Sequence, residues 1–156
     1  MAEIPCNAGP VPGAVSLRWV DDFIRMPYRR GGRDATGVDC WGLVALVYKR
    51  QAAIDLEPFS AVESTDGAAV EMVITREAAK WVPVSRGDEK ALDVVVMRSI
   101  FEHDGKAMTA DMHIGVMTGP GFILHTEQKA GAMHVPLDHQ TIKQRIRAVY
   151  RHRALA

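Results

Sequence analysis

The sequence predicts an α+β fold in which N-terminal helices pack on a C-terminal antiparallel β-sheet. As far as Trp81, apolar residues recur mainly at helical spacing. After Trp81, short apolar runs alternate with Gly, Pro, Asp and Lys, which is typical of antiparallel strands. The runs are LDVVVM, HIGVM, GFILHT, AMHVPL and IRAVYRH. With 156 residues the chain has the length of one domain, so we expect an irregular arm over residues 1–15 and a single domain over residues 16–156.

The first predicted helix spans residues 16–26. It begins with a serine that can act as its N-cap, and Pro27 ends it. Its apolar positions are Leu17, Val20, Phe23 and Ile24. The glycine-rich stretch YRRGGRDATG, residues 28–37, is a predicted loop that can bring backbone amides close to a ligand. Further along, residues 53–66 are a predicted loop and residues 66–81 a predicted helix.

The second predicted helix begins at Cys40 and runs to about Gln51. Its apolar residues recur at i, i+3, i+4 and i+7, and they are Cys40, Leu43, Val44 and Val47. Asp39 or Gly37 can cap this helix. Cys40 therefore lies in the first helical turn, where the partial positive charge of the helix N-terminus favours a thiolate.

Composition and charge exclude several classes of function. Lys and Arg together number 19, as do Asp and Glu, so the net charge is zero and nothing directs the chain to nucleic acid or to an anionic membrane. No apolar run approaches the roughly 18 residues that a membrane span needs, so we expect no membrane insertion. The N-terminus lacks the pattern of a signal peptide, from which we expect synthesis in the cytoplasm. Cys6 and Cys40 lie in dissimilar settings, so no disulfide framework is expected.

A nucleophilic cysteine also needs an imidazole base and a group that orients this base. His113 and His125 flank a predicted hairpin, MHIGVM-TGPG-FILHTE. A five-residue connection over residues 117–121 would place Val116 opposite Phe122, and His113 directly opposite His125 with their Cβ atoms about 5 Å apart. The other face would then carry Ile114, Val116, Phe122 and Leu124 as an apolar set for the core.

Two other interpretations use the same residues. A cysteine on an apolar helix face is most often a packed core residue. Alternatively, Asp111 with His113, and His125 with Glu127, could supply metal ligands from adjacent strands. The cysteine has no nearby partner such as a second cysteine at C-x-x-C spacing, so the pattern favours the metal site less than the nucleophile.

The motifs PYRRGGRDATGVDCWGLVALVY and MHIGVMTGPGFILHT resemble those of the NlpC/P60 family of papain-like cysteine peptidases, and within it the small cell-wall peptidases of phage tails and gene-transfer agents. The first motif resembles the family's Tyr, Gly-Gly and Asp-Cys-x-Gly-Leu block, and the second its His-x-Gly strand and hairpin. The order Cys, His, His is also that of the family. The resemblance covers most of residues 16–151 and implies a papain-like NlpC/P60 fold.

The resemblance implies a role for each matching residue. Cys40 would be the nucleophile, His113 the general base and His125 the residue that orients His113. Tyr28 would line the oxyanion site together with the backbone N–H of Cys40, and Asp39 would contact substrate or hold the loop. Trp41 stands where many members have serine, as it does in phage-type members, and a substrate contact through that hydroxyl is therefore absent. No metal or other cofactor is implied.

The implied activity is hydrolysis of an amide in the peptidoglycan stem peptide, commonly between D-γ-glutamate and meso-diaminopimelate. The implied partners are the stem peptide and the tail proteins of a phage or gene-transfer agent, and the implied location is a virion or tail particle acting at the bacterial cell wall. Two alternatives are a structural tail-tip or tail-assembly protein with little hydrolytic activity, and an intracellular amidase or acyltransferase that acts on a small molecule.

Overall fold

The computed structural model describes residues 18–57 and 78–156, which form an α+β fold dominated by one antiparallel sheet. The helices are α1 (Arg18–Asp21), α2 (Cys40–Ala52) and α3 (Gln140–Lys143), with short 3₁₀ helices at Ala78–Lys80 and Arg153–Leu155. The strands are β1 (Arg33–Asp34), β2 (Gly37–Val38), β3 (Trp81–Pro83), β4 (Val94–His103), β5 (Lys106–Gly119), β6 (Phe122–Glu127), β7 (Gly131–Pro136) and β8 (Ile146–His152). The predicted fold class is confirmed.

The main sheet has six strands in the order β3-β8-β4-β5-β6-β7, and every neighbouring pair is antiparallel. The five apolar runs of the sequence correspond to β4 to β8, so their prediction as strands is confirmed. Strand β3 and the two-residue hairpin of β1 and β2 carry too few apolar residues to be predicted from periodicity. No helix among the described residues has the length and apolar character needed to cross a membrane.

Helix α2 packs on one face of the sheet and forms the main core with it. The apolar side of the helix is buried, as predicted, against β4, β5 and β6. The buried residues that meet there include Leu43, Val44, Val47, Val94, Ile114, Val116 and Leu124. The opposite face of the sheet carries a second core, which contains Val95, Met97, Met117, Ile123, Leu137, Ile142 and Val149. Both faces of the central strands are therefore buried.

The first helix is much shorter than the predicted span of residues 16–26. Of this span, the structure describes residues 18–26, where the α-helix is Arg18–Asp21 and Arg25 has a left-handed φ of 67°. The Arg25 N–H donates to the carbonyl of Ala132, and the Ala132 N–H donates to the carbonyl of Met26. This pairing with the start of β7 satisfies backbone groups that a longer helix would have used, and so it ends the helix early.

Two further predictions fall partly or wholly outside the described residues. The arm over residues 1–15 lies outside them, and the single domain over residues 16–156 stays a prediction. Most of the helix predicted over residues 66–81 also lies outside. Its last residues are a 3₁₀ turn at Ala78–Lys80, after which β3 begins at Trp81.

The register of the β5–β6 hairpin differs from the predicted one. Val116 pairs with Leu124, not with Phe122, because the connection is a two-residue turn preceded by a bulge between Met117 and Gly119. A shift of two residues along a strand keeps each side chain on its own face. The two histidines therefore share a face as predicted, but the prediction that they lie directly opposite each other was wrong.

The bulge also changes the environment of Phe122. The residue was expected on the core face, but 41% of its surface is exposed. It pairs with Gly119, and its ring lies 5.3 Å from that of His134 on the neighbouring strand. The other members of the predicted apolar set, Ile114, Val116 and Leu124, are buried.

The first turn of helix α2 packs closely against the backbone of the glycine-rich loop. A Cβ at Gly42, in the first turn of the helix, would overlap the carbonyl oxygen of Gly32. Because that oxygen is backbone, neither side can yield without moving the helix or the loop. The turn that carries Cys40 is thus positioned by a contact that only glycine permits.

We predict that Gly42→Ala lowers the free energy of unfolding by about 3 kcal/mol or more, because the added methyl group forces α2 away from the loop. Urea denaturation monitored by circular dichroism measures this loss. Gly119→Ala is the matched control, since a Cβ at Gly119 has no atom within 4 Å. Equal stability of the two variants would contradict the close approach.

Candidate active site

Asp39 joins the glycine-rich loop to the start of α2. Its side chain caps the helix by accepting a hydrogen bond from the Gly42 N–H at 2.7 Å. The same carboxylate accepts from the Gly31 N–H at 3.1 Å and pairs with the Arg33 guanidinium at 2.6 Å. Asp39 is buried and fully engaged within the protein, so in this structure it holds the loop.

Cys40 lies in the first turn of α2 with a free thiol that is 3% exposed. Burial, and next the Asp39 carboxylate, raise the pKa of this thiol to about 12, whereas hydrogen bonds from the backbone amides of Ile114 and Trp41 and the charge of Arg33 act in the opposite direction. The thiol is therefore protonated at neutral pH. This differs from the expectation that the helix N-terminus holds a thiolate, because burial and the Asp39 carboxylate outweigh the backbone hydrogen bonds and the charge of Arg33.

The hydrogen bond from Ile114 places the cysteine next to β5. Ile114 directly follows His113, so the thiol of α2 lies beside the strand that carries this imidazole. The paired stretch of β5 and β6 begins at the turn, where Gly119 pairs with Phe122, and ends where Val116 pairs with Leu124. Ile114 lies beyond this paired stretch, where its amide can interact with the sulfur atom.

His113 and His125 form a buried hydrogen-bonded pair. Nε2 of His113 lies 2.8 Å from Nδ1 of His125, the ring centroids are 5.1 Å apart, and the rings are nearly perpendicular at 81°. The contact is diagonal across the hairpin, since continuing the observed register places Gly115 opposite His125. A Cβ at Gly115 would lie only 3.1 Å from that of His125, so the glycine leaves the space for this contact.

Both imidazoles are neutral at neutral pH. Burial, then the proximity of His125 and of Arg145, lowers the pKa of His113 well below 6.5. Burial and then Arg145 lower the pKa of His125 to about 4. His113 is 7% exposed and His125 is 1% exposed. The site at rest thus contains a neutral thiol and two neutral imidazoles, and it can accept a proton without first losing one.

Glu127 and Arg145 extend this pair toward the surface. The Oε1 atom of Glu127 lies 3.5 Å from Nδ1 of His125 and 3.8 Å from Nε2 of His113. Arg145, just before β8, lies 3.3 Å from the same oxygen through Nη1, while its Nε donates to the carbonyl of Arg98 at 2.7 Å. From the sequence, Glu127 was expected only as a possible metal ligand. Arg145 was not expected near the site, because no motif links it to the histidines.

Tyr28 and Trp41, predicted near the substrate, occupy different environments. Tyr28 is half-buried and forms an isolated parallel bridge with Val38, which holds it in the loop just before Cys40. The Trp41 ring is buried in the α2 core, and its Nε1 donates to the Glu57 carbonyl at 2.7 Å. Their roles toward substrate stay predictions, as do the catalytic roles of Cys40 and the two histidines.

This chain is similar to known proteins in both sequence and fold. A sequence model of the NlpC/P60 family matches residues 25–151. Among solved structures, the fold is similar to the NlpC/p60 domain of the peptidoglycan hydrolase SagA, with a TM-score of 0.54 and 18% identity over 85% of this chain and 94% of that chain. A search of curated proteins gave no match.

Two longer proteins have the same fold over part of their length. A lipoprotein-like NLP/P60 family protein from Staphylococcus aureus has a TM-score of 0.57 and 18% identity, and the match covers 85% of this chain and 39% of that one. An NlpC/P60 family protein from Bacillus cereus has a TM-score of 0.54 and 21% identity, and the match covers 86% of this chain and 37% of that one. At these identities the likeness to solved structures shows the fold alone.

We predict that iodoacetamide alkylates Cys40 slowly at neutral pH, and that the rate rises about tenfold per pH unit between about pH 6 and pH 9. The raised pKa leaves only a small thiolate fraction, which grows with pH throughout this window. The measurement is mass spectrometry of a Cys6→Ser variant, in which Cys40 is the remaining thiol. A rate that reaches a plateau below pH 7 would show a preformed thiolate and contradict the prediction.

Proposed function

The chain belongs to the NlpC/P60 family, and from this membership we propose that it is a cysteine peptidase that hydrolyses an amide bond in the stem peptide of peptidoglycan. Members of this family are cysteine peptidases and peptidoglycan hydrolases. One observation carries the proposal: Cys40 starts α2 beside the backbone of Ile114, and the adjacent His113 is hydrogen-bonded to His125 in a buried site. These are the nucleophile, base and orienting group that the reaction requires.

We assign the proton transfer to one nitrogen of His113, and the geometry of the histidine pair supports this choice. Because Nε2 of His113 is engaged with His125, Nδ1 is the atom left to accept the proton of Cys40. For this, His113 carries its own proton on Nε2 and donates it to Nδ1 of His125. The second imidazole then fixes both the ring orientation and the tautomer of the base.

The chemistry proceeds by general-base catalysis from a neutral state. As the sulfur attacks the amide carbonyl, its proton passes to His113, and the carbonyl oxygen gains negative charge. The backbone N–H of Cys40, with Tyr28 nearby, is the donor that we assign to this oxyanion. His113 then protonates the leaving amine, and a water molecule hydrolyses the thioester to regenerate the thiol and release the carboxylic acid.

We assign the scissile bond to the link between D-γ-glutamate and meso-diaminopimelate. The support for this assignment is the resemblance to the NlpC/P60 family, since that is the bond its members commonly cleave. The position of Trp41 is relevant to specificity, because its buried ring replaces the serine hydroxyl that many members carry. Recognition of the peptide therefore depends on other groups around Cys40.

We further propose that the protein acts at the bacterial cell wall as part of a phage or gene-transfer-agent tail. The support is again the phage-type character of the Asp-Cys-Trp-Gly-Leu block. Co-sedimentation of the protein with purified tail particles tests this placement. Recovery in the soluble fraction alone would remove the tail from the proposal and leave the peptidase to be tested by itself.

We predict that the protein cleaves L-Ala-γ-D-Glu-meso-diaminopimelate and that Cys40→Ala abolishes cleavage, because the variant lacks the sulfur atom on which the thioester forms. Mass spectrometry of the products identifies the bond. The variant retains its fold, since alanine fits the space of the buried thiol, and a matching thermal transition provides the control. Cleavage at the wild-type rate by Cys40→Ala would refute the assignment of the nucleophile, and absence of cleavage of both peptide and intact peptidoglycan would refute the substrate.

We also predict that His125 contributes to catalysis through Nδ1, which accepts the hydrogen bond from His113. His125→Asn supplies an acceptor oxygen for the Nε2–H of His113 and retains kcat/KM within about tenfold, whereas His125→Leu removes the acceptor and lowers kcat/KM by about 100-fold or more. Steady-state kinetics on the stem peptide measures the difference. If both variants lose the same activity, the orienting hydrogen bond is not what His125 contributes.

A further inference from the structure

Three potential metal-binding atoms converge at the end of the histidine pair. They are Nε2 of His113, Nδ1 of His125 and Oε1 of Glu127, and all lie within 4.8 Å of one another. The separations are 2.8 Å between the two nitrogens, and 3.5 Å and 3.8 Å from the oxygen to His125 and His113. The proposed peptidase mechanism uses the two nitrogens but assigns no task to the carboxylate.

These separations are close to those of a tetrahedral metal site. With metal–ligand bonds of about 2.0–2.1 Å, the ligand atoms of a tetrahedral zinc ion are about 3.3 Å apart. The observed separations bracket this value, so each donor needs to move by only about half an ångström. Two imidazoles and one carboxylate leave the fourth position of a tetrahedron to a water molecule.

The types of donor and their accessibility also suit a cation. Metal ions bind imidazole through the lone pair of its unprotonated nitrogen. Glu127 is 38% exposed, so its carboxylate lies on the route by which an ion would enter. Imidazole nitrogen with carboxylate oxygen favours zinc and neighbouring transition metals over magnesium or calcium.

We propose that His113, His125 and Glu127 form a binding site for a divalent transition-metal ion such as Zn²⁺, and that occupancy of this site reversibly inhibits the peptidase. The proposed inhibition rests on the proposed function, whereas the proposed metal binding does not. A metal bound to Nε2 of His113 forces the proton of this ring onto Nδ1. That is the nitrogen needed to accept the proton of Cys40, so the base is blocked while the thiol is untouched.

Arg145 sets the strength of this site. Its guanidinium pairs with the Glu127 oxygen that would bind the ion, and its Nε is held by the carbonyl of Arg98. The positive charge competes directly with the metal for the carboxylate. Removal of Glu127 and removal of Arg145 should therefore change the affinity in opposite directions, which metal binding at surface histidines would not do.

The test is a titration with Co²⁺ in a Cys6→Ser, Cys40→Ala background, which contains neither thiol and has no peptidase activity. We expect one ion per chain with the visible absorption of tetrahedral Co²⁺, and displacement of this ion by Zn²⁺. Glu127→Gln should weaken Co²⁺ binding at least tenfold and Arg145→Gln should strengthen it about tenfold. His139→Gln, which changes an exposed histidine outside the cluster, should leave it unchanged. Thermal transitions establish that each variant is folded.

The site is refuted if Co²⁺ gives no tetrahedral spectrum, or if Glu127→Gln binds as tightly as its parent. The proposed inhibition is tested separately, by adding Zn²⁺ and then EDTA to the intact enzyme during cleavage of the stem peptide. Full activity in Zn²⁺ at concentrations that saturate the site would refute inhibition. If instead the Co²⁺ site is present and no peptide is cleaved under any condition, the proposed function fails and the metal site remains.

Discussion

The buried carboxylate of Asp39 is the constraint on which the site depends. It caps α2, binds the Gly31 amide and pairs with Arg33, so a single side chain fixes both the loop and the helix that carries Cys40. Gly42 and Gly32 approach closely in this arrangement, and a Cβ at Gly42 would overlap the carbonyl oxygen of Gly32. The same negative charge contributes to the raised pKa of the adjacent thiol. The carboxylate that positions Cys40 therefore also helps to keep its thiol protonated.

Burial is the main cause of the pKa shifts of Cys40, His113 and His125. It raises the pKa of the thiol and lowers those of both imidazoles, so all three groups are neutral in the resting protein. The resting site therefore has no thiolate–imidazolium ion pair. The charged groups beside the histidine pair, Glu127 and Arg145, form an ion pair with each other.

The parts of this structure that depend on local periodicity could be predicted from the sequence, and the parts that depend on distant contacts could not. Helix α2 and strands β4 to β8 follow from apolar spacing alone. The two histidines were placed on one face because strand periodicity is exactly two, yet the bulge before Gly119 moved their register. The pairing of Arg25 with Ala132 shortened α1, and Arg145, which precedes β8, pairs with Glu127 beside the histidines. Neither contact leaves a signal in neighbouring residues.

The burial of Cys40 has a consequence for the lifetime of the protein outside a reducing compartment. Peroxide and disulfides react with thiolates far faster than with thiols, so a cysteine that is protonated and 3% exposed is a poor target for oxidation. A surface thiolate with the same nucleophilic task would be lost to sulfenic acid or mixed disulfides during storage in air. Under the proposed mechanism the reactive form arises only when a substrate is in place to consume it, so the thiol stays reduced until then.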